Sequence, residues 1–535
     1  MLNKNESRIN SPPFLGLAIL WLFAYFLAMY ELGNSPLRDF DEATVARVAL
    51  ELSQKSGIDT LLPSIWGEAY LNKPPGLHWL IAGFINFTSL WHNDKELPSE
   101  FTIRFVPAFL STFVVPLCGL IQWKLRPKDK FSSIATSAIL LSLLPIARHG
   151  RLAMLDGTLL SLVSLLWLLI INLRDGKNNK YRLFYIGLTC SFLLLLKAPL
   201  IIPISLAGIL PMLGEKIQLK KYLLPWFLLG LTPGVSWHIW NSLVRGTGAL
   251  WLWWGDGMSR VLFTSSAGSG DQYLVPLIEL LEGGWPWILF FPFGIYIAFK
   301  ERKYFSGKWY LSTLLVLCFA ILPLKTQYPW YVMPLWIPFA LICGPSVKEV
   351  IIGKSSKYYN NKVNIIISIA LIMLGSSISL VGLLSSFKMI TGLENYESIC
   401  LIIGSLWLIS GIVLFNKKVK YKKFAAILLF FANFLSLIIL MGSSFWLWEL
   451  NESWPVKPIA EMINFSEAKN IVMQGSYGRP SLSWYASQKV SITNDATPTG
   501  WILINDDQKI EDLKSKGFCY IKDKRMEWSL IQCKP

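Results

Sequence analysis

From Phe14 to Met441 the chain is a succession of apolar runs, most of them close to the roughly 20 residues that a helix needs to cross a bilayer. Short loops between them gather most of the charge. Inside hydrocarbon only helices and closed barrels satisfy their own backbone, so continuous apolar runs of this length predict a polytopic α-helical membrane protein. Composition agrees, with 53% of the 535 residues hydrophobic. A formal charge of +16 would suggest nucleic acid in a water-soluble chain. Here the Lys and Arg sit between spans, the pattern that sets membrane orientation, and no nucleic-acid partner is expected.

The segment "PPGLHWLIAGFINFTSLW", residues 74 to 91, is apolar but short for a crossing. Loop charge decides how to read it. If it lies in the interface and the N-terminus is inside, the basic loops at 124–130, 174–182, 216–221, 300–308, 348–362 and 417–423 all fall on the cytoplasmic side. If it crosses, each of them moves outside. The first reading predicts about thirteen spans, near 14–33, 102–123, 131–147, 157–173, 182–196, 199–214, 222–243, 273–299, 309–324, 330–347, 363–384, 399–415 and 424–446. The first run lacks a cleavage-site pattern and reads as a retained anchor.

The expected organisation is a transmembrane domain over 1–450 and a small extracytoplasmic α+β domain over 451–535. The outer face would carry a first loop over 34–101 with interfacial helices, a short loop around "RHGRLAMLDG", a Trp-rich loop over 245–272 and the C-terminal domain. In that domain, "NIVMQG", "KVSIT" and "GWILIN" read as strands, "DQKIEDLKSKG" as a helix, and "FCYIK" and "EWSLIQC" as a closing hairpin. The hairpin would set Cys519 nearly opposite Cys533, and an oxidising exterior would permit a disulfide. The other five cysteines lie in spans and read as packing residues.

Polar residues at the outer membrane boundary are the candidates for chemistry. "DFDEATVARVALEL" begins at Asp39, and Asp39 with Glu42 three residues later matches a capping box. Asp41 is left over, in the first turn of a predicted helix, where the dipole favours an ionised carboxylate able to act as a general base. "LNKPPG" sets Lys73 before two prolines at the headgroup level, suited to a phosphate or, more plainly, to anchoring the interface. "RLAMLDG" puts Asp156 at the outer mouth of a span. "LLLLKAPL" interrupts an apolar stretch with Lys197, whose burial demands water or an anionic partner. Arg260, Lys325 and Tyr331 complete the outer set, and an ordinary aromatic belt would also explain the Trp cluster. Two carboxylates and several cations at a lipid surface fit a reaction in which an acceptor is deprotonated and a phosphate leaves.

The motifs "DFDEATVARVALEL", "GEAYLNKPPGLHWL", "RLAMLD", "LLKAPL" and "LKTQYPWYVMPLWIPFAL" stand in the order seen in the type C glycosyltransferases (GT-C), from Asp41 to about Ile342. They resemble the branch of the 4-amino-4-deoxy-L-arabinose lipid A transferases, akin to the protein O-mannosyltransferases. The resemblance implies a GT-C architecture, a polyprenyl-phosphate sugar as donor, a lipid, glycan or protein acceptor at the outer face of the inner membrane, and inversion at the sugar carbon. By position it implies Asp41 and Asp156 as the catalytic acids. It implies Lys73, Lys197, Arg260 and Tyr331 around the lipid phosphate, and Lys325, Glu42 and Arg47 at the same outer face read as further substrate-binding candidates. Three departures follow: Asn72 replaces a Glu, Gly257 stands where a His is expected, and Thr44 replaces an Arg, with Arg47 one turn on. Asn and Gly supply no ligand pair, so the family zinc site is expected to be absent, and the sequence points to no other cofactor. Two other classes compete with this reading, a lipid or solute transporter and a scaffold that has lost catalysis. Polar groups at one face and the absence of a repeat weigh against transport, and the retained acids weigh against a scaffold.

Overall fold

The computed structural model describes residues 11–90, 97–176, 179–215, 223–255, 259, 274–353, 357–416, 418–443, 456–466, 468–475, 478–493, 500–515 and 519–533. The chain divides into two compact units. The first gathers Met1–Glu31, Leu71–Leu77 and Pro107–Ser443, and the second Leu32–Tyr70, His78–Val106 and Ser444–Pro535. Most of the first loop, set beside the spans by the sequence reading, thus shares a unit with the C-terminal residues.

The first unit is helical. Among the described residues seven helical stretches are long and apolar enough to cross a membrane, or nine if each of two bent pairs is one span. The bends explain part of the gap from thirteen. Lys130–Leu141 and Leu144–Gly150 meet at 60°, and Val275–Gly283 and Trp287–Lys300 at 106°. Pro145 opens the second helix of the first pair, as a ring that fixes φ and lacks an N–H does best at a helix start. Phe14–Met29 and Phe305–Ile321, both expected as spans, are apolar but shorter.

Residues 179–212 are a long apolar stretch that reverses at its middle. Taken as one stretch of 34 residues they would run about 50 Å, longer than a bilayer is thick. The side-chain contacts show that the chain turns back. Arg182 Nη1 donates to the Asn172 carbonyl, and Arg174 pairs with Glu215 at 3.0 Å, so both ends lie beside the same turn. Trp167 Nε1 donates to the Ile204 carbonyl at 3.0 Å, which aligns Ile201–Ile209 along Leu155–Asn172. Helix Asn179–Lys197 therefore runs one way and Ile201–Ile209 the other. The reversal falls at Lys197, where φ is −152°, and at Pro199 within the next turn. Two glycines fix how tightly the neighbouring helix Leu224–Arg245 packs: a Cβ on Gly187 would lie 2.1 Å from the Phe227 carbonyl, and one on Gly230 2.1 Å from that of Phe184. Small residues are what let membrane helices approach so closely.

The second unit opens with helix Asp41–Ser53 and a short hairpin, β1 (Ser64–Ile65) and β2 (Glu68–Ala69). Its C-terminal part is a five-stranded sheet of β3 (Val472–Gln474), β4 (Ser491–Thr493), β5 (Gly500–Ile504), β6 (Cys519–Arg525) and β7 (Trp528–Cys533), in the order β4-β3-β5-β7-β6. β3 pairs in parallel with β4 and β5, and β7 is antiparallel to β5 and β6. One face packs Ile459, Ile463, Leu482, Leu503 and Leu530, and the other Ile502, Ile504, Ile510, Leu513 and Ile531. This is the period-2 alternation of a sheet covered on both sides. Cys519 lies opposite Cys533 in the hairpin register and is bonded to it. Helices Val456–Phe465 and Pro480–Tyr485, not expected from the sequence, cover the first face.

Candidate active site

In the second unit the start of helix Asp41–Ser53 differs from a capping box. The N-cap is Phe40, with no side-chain cap. Its φ of 60° and ψ of −62°, with the Asp41 N–H donating to the Asp39 carbonyl at 2.8 Å, make a γ-turn of the rare, strained hand. Asp39 is drawn away from capping by better partners: it accepts from Arg479 Nη1 at 2.8 Å, the Ser481 N–H at 2.9 Å and Ser481 Oγ. Asp41 is left half-buried at the first helical position. A strained residue beside an acid in a helix's first turn is where function is often found.

Glu42 does reach back as a capping acid, to the Arg38 N–H at 2.9 Å, and it is held from the other side by Arg104. Arg104 makes a fork on it, Nε to Oε1 at 2.7 Å and Nη2 to Oε2 at 2.6 Å. Its remaining donors go to the carbonyls of Leu32, Ser35 and Pro36. Both charges are fully buried, so this pair fixes the chain entering the helix. Arg104 was missed from sequence, although a lone charge in the apolar run "FTIRFVPAFL" should have prompted a search for its partner.

Arg47 lies over the Trp66 ring at 3.7 Å and donates to Glu51 at 2.8 Å. Glu51 also accepts from Ser64 Oγ and from the Trp66 and Gly67 N–H groups, and so binds the hairpin to the helix. Burial alone would raise its carboxyl, but the Ser64 and Arg47 hydrogen bonds outweigh this and hold it below the usual carboxylate range.

In the first unit the structure brings three of the expected residues together. Asp156 stands in the first turn of helix Leu155–Asn172, and Lys197 at the reversal after helix Asn179–Lys197. Lys197 Nζ is 3.2 Å from Asp156 Oδ1, and both side chains are buried. The same ammonium lies 4.9 Å from the centre of the Tyr331 ring. A buried ammonium needs an opposite charge, and the pair supplies it while the ring face adds a cation–π contact. Tyr331 sits in the short helix Pro329–Leu335, where Tyr328 and Trp330 stack in parallel at 4.9 Å and His149 meets Trp330 edge-on at 6.2 Å. Arg148 pairs with Glu282 at 3.1 Å. Neither Arg148 nor His149 had been singled out, because "RHGRLAMLDG" was read only for its acid.

Lys73 lies in the segment Leu71–Leu77, half-buried. That segment seats against the same helix end: a Cβ on Gly76 would come within 2.7 Å of the Leu195 carbonyl, two residues before Lys197. Lys325 is exposed on the turn before Pro329–Leu335. Asp41, Glu42 and Arg47 belong to the second unit. Arg260 and Gly257 lie outside the described residues.

No family model matches the chain. It is 22% identical over 421 residues to the undecaprenyl phosphate-alpha-4-amino-4-deoxy-L-arabinose arabinosyl transferase of Serratia proteamaculans, covering 74% of this chain and 71% of that protein. It is 26% identical over 374 residues to the enzyme of that name from Erwinia tasmaniensis, covering 65% and 62%. The structure resembles that of ArnT from Cupriavidus metallidurans bound to undecaprenyl phosphate, with a TM-score of 0.71 at 13% identity over 96% of this chain and 98% of that one. An Archaeoglobus fulgidus oligosaccharyltransferase in its apo form matches at a TM-score of 0.50 and 11% identity, covering 95% and 69%. Motif order, sequence relatives and fold agree, and the chain is similar to the ArnT-like membrane glycosyltransferases of type C.

Proposed function

We propose that the protein transfers a sugar from a polyprenyl-phosphate carrier, of the undecaprenyl class that its relatives' names carry, to a lipid, glycan or protein acceptor at the outer face of the inner membrane. The observation that carries the reading is the Lys197–Asp156 pair under the Tyr331 ring, with the Lys73 segment seated on the same helix end. Such a cation set suits a phosphate that gains charge as it leaves.

In the proposed step the acceptor oxygen or nitrogen bonds to the sugar's C1 from the face opposite the phosphate. The C1–O bond breaks and its electron pair goes to the phosphate. The acceptor's proton passes to a carboxylate, for which Asp41 is assigned, so the configuration inverts. Lys197 and Lys73 stabilise the leaving phosphate, and Asp156 offsets the burial of Lys197. The positions of the arabinose transferases' Glu and His are Asn72 and Gly257 here, a poor ligand and none. No step is assigned to a metal at that pair, and the sugar is not taken to be that of the relatives. A transporter would be expected to hold its ionisable groups near mid-span; Asp156 and Lys197 stand at helix ends.

The test is mass spectrometry of membrane lipids from cells with the wild-type protein, with Asp41→Asn and with no protein. Accumulation of one polyprenyl-phosphate sugar in both defective strains, with loss of one glycosylated product, supports the reading and names the donor. Identical lipids in all three strains overturn it.

A further inference from the structure

Leu155–Asn172 has Asp156 at its first turn, and the other end of the same helix opens on a cavity lined largely by charged residues. That cavity, of about 770 Å³, is lined by Trp123, Lys124, Lys128, Arg174, Asp175 and Glu215 among others. Its size is in the range of ligand sites, roughly 300–1,000 Å³.

The charges around it do not balance. Asp175 is shared by Lys124 at 3.0 Å and Arg182 at 3.7 Å, and Glu215 by Arg174 at 3.0 Å and Lys308 at 3.3 Å. Lys128 lies exposed on the rim with no ion-pair partner among the described residues. Three cations and two carboxylates thus line the cavity, an excess of one positive charge (3 − 2), while Arg182 and Lys308 pair with the same carboxylates from beyond the lining. The cations are also held in place: the Arg174 guanidinium lies 3.7 Å from the centre of the Phe305 ring. Lys128 projects from a left-handed turn with φ at 72°, a conformation that non-glycine residues seldom take. Trp123 is buried in the wall.

We propose that this cavity binds a phosphate-bearing anion, with the headgroup of an anionic phospholipid as the form best suited to it. Excess positive charge, a fixed guanidinium and a place at the end of a membrane helix are the features that hold such headgroups between helices. The site is separate from the one proposed for sugar transfer, lying about 27 Å away along a helix of 18 residues, and it does not depend on that reading.

The full-length protein in neutral detergent is titrated in three arms, with dioctanoyl phosphatidylglycerol, dioctanoyl phosphatidylcholine and inorganic phosphate, and bound adducts are read by native mass spectrometry. Lys128→Asn removes one charge with a residue that tolerates the left-handed backbone. Lys124→Gln is the second variant, and the melting temperature of each is measured alongside. A surface cation contributes enough that its loss should weaken binding about fivefold. Phosphatidylglycerol binding that weakens by that factor in Lys128→Asn, with phosphatidylcholine not bound, supports the site and assigns it to a lipid. Inorganic phosphate bound with the same dependence on Lys128, and phosphatidylglycerol not, supports the anion site with a soluble ligand. Binding of phosphatidylcholine equal to that of phosphatidylglycerol, affinities unchanged in both stably folded variants, or no binding in any arm overturns the proposal.

Discussion

Lys197 and Asp156 form an ion pair at 3.2 Å in which neither side chain is more than 8% exposed. Removing one member of a buried pair leaves the other charge without compensation, at about 3–5 kcal/mol. Lys197→Met and Asp156→Asn should each lower the melting temperature, and the double variant should recover part of the loss. Thermal unfolding in detergent, arranged as a double-mutant cycle, measures the coupling. Additive losses would mean that the pair is not a unit.

Asp39 accepts three hydrogen bonds from Arg479 and Ser481 and is buried, whereas its neighbour Asp41 is half-buried at the helix start. Hydrogen bonds to a charged group contribute about 1.5–3 kcal/mol each, and unmet donors add to the loss. Asp39→Ala should therefore speed hydrogen exchange across residues 478–485. Asp41→Asn should leave exchange there unchanged, so a defect of that variant in sugar transfer cannot be put down to unfolding.

Glu51 gives a pH prediction. Its folded carboxyl titrates below the unfolded one despite burial, because Ser64 and Arg47 hydrogen-bond the charged form. Its stabilisation is fully present above the unfolded value, about 4.3, and is lost as pH falls through the lower folded value. Protection of the Trp66 and Gly67 amides, which donate to Glu51, should hold from pH 8 to about 5 and decline below about 4. In Glu51→Gln the protection should be lower throughout and flat with pH. Hydrogen exchange with correction for intrinsic rates measures both.

The Cys519–Cys533 bond closes a loop with a sequence separation of 14. The chain-entropy account gives about 3 kcal/mol for a loop of that size. The double variant Cys519→Ser, Cys533→Ser should lower the unfolding midpoint of the second unit, and reducing agent should do the same to the wild type while leaving the variant unmoved.

Local pattern carried most of the membrane architecture. The single Lys197 in "LLLLKAPL" marks the point where the chain reverses, because a lone lysine in an apolar run needs a partner and the proline that follows breaks the helix. The strands of the C-terminal sheet were legible from alternation, and the Cys519 and Cys533 register from the hairpin. The helix start at Asp41 was legible only in part: Glu42 reaches back to the Arg38 N–H, but Asp39 is not the cap. The capping-box spacing of Asp39 and Glu42 is a local signal, whereas the partners that win those carboxylates, Arg479 and Arg104, lie 440 and 62 residues away. No periodicity reports contacts at such separations. The bent helix pairs were likewise read as straight runs, since hydropathy averages over a kink.

Asp41 is proposed to act in transfer of a sugar from a polyprenyl-phosphate carrier. The most direct test is single-turnover release of polyprenyl phosphate by purified full-length protein in lipid nanodiscs, using the donor identified from cells. The account predicts that Asp41→Asn slows release by about 10²- to 10⁴-fold, as expected for loss of a general base, while binding polyprenyl phosphate as the wild type does. Release by Asp41→Asn within a few-fold of wild type would contradict it.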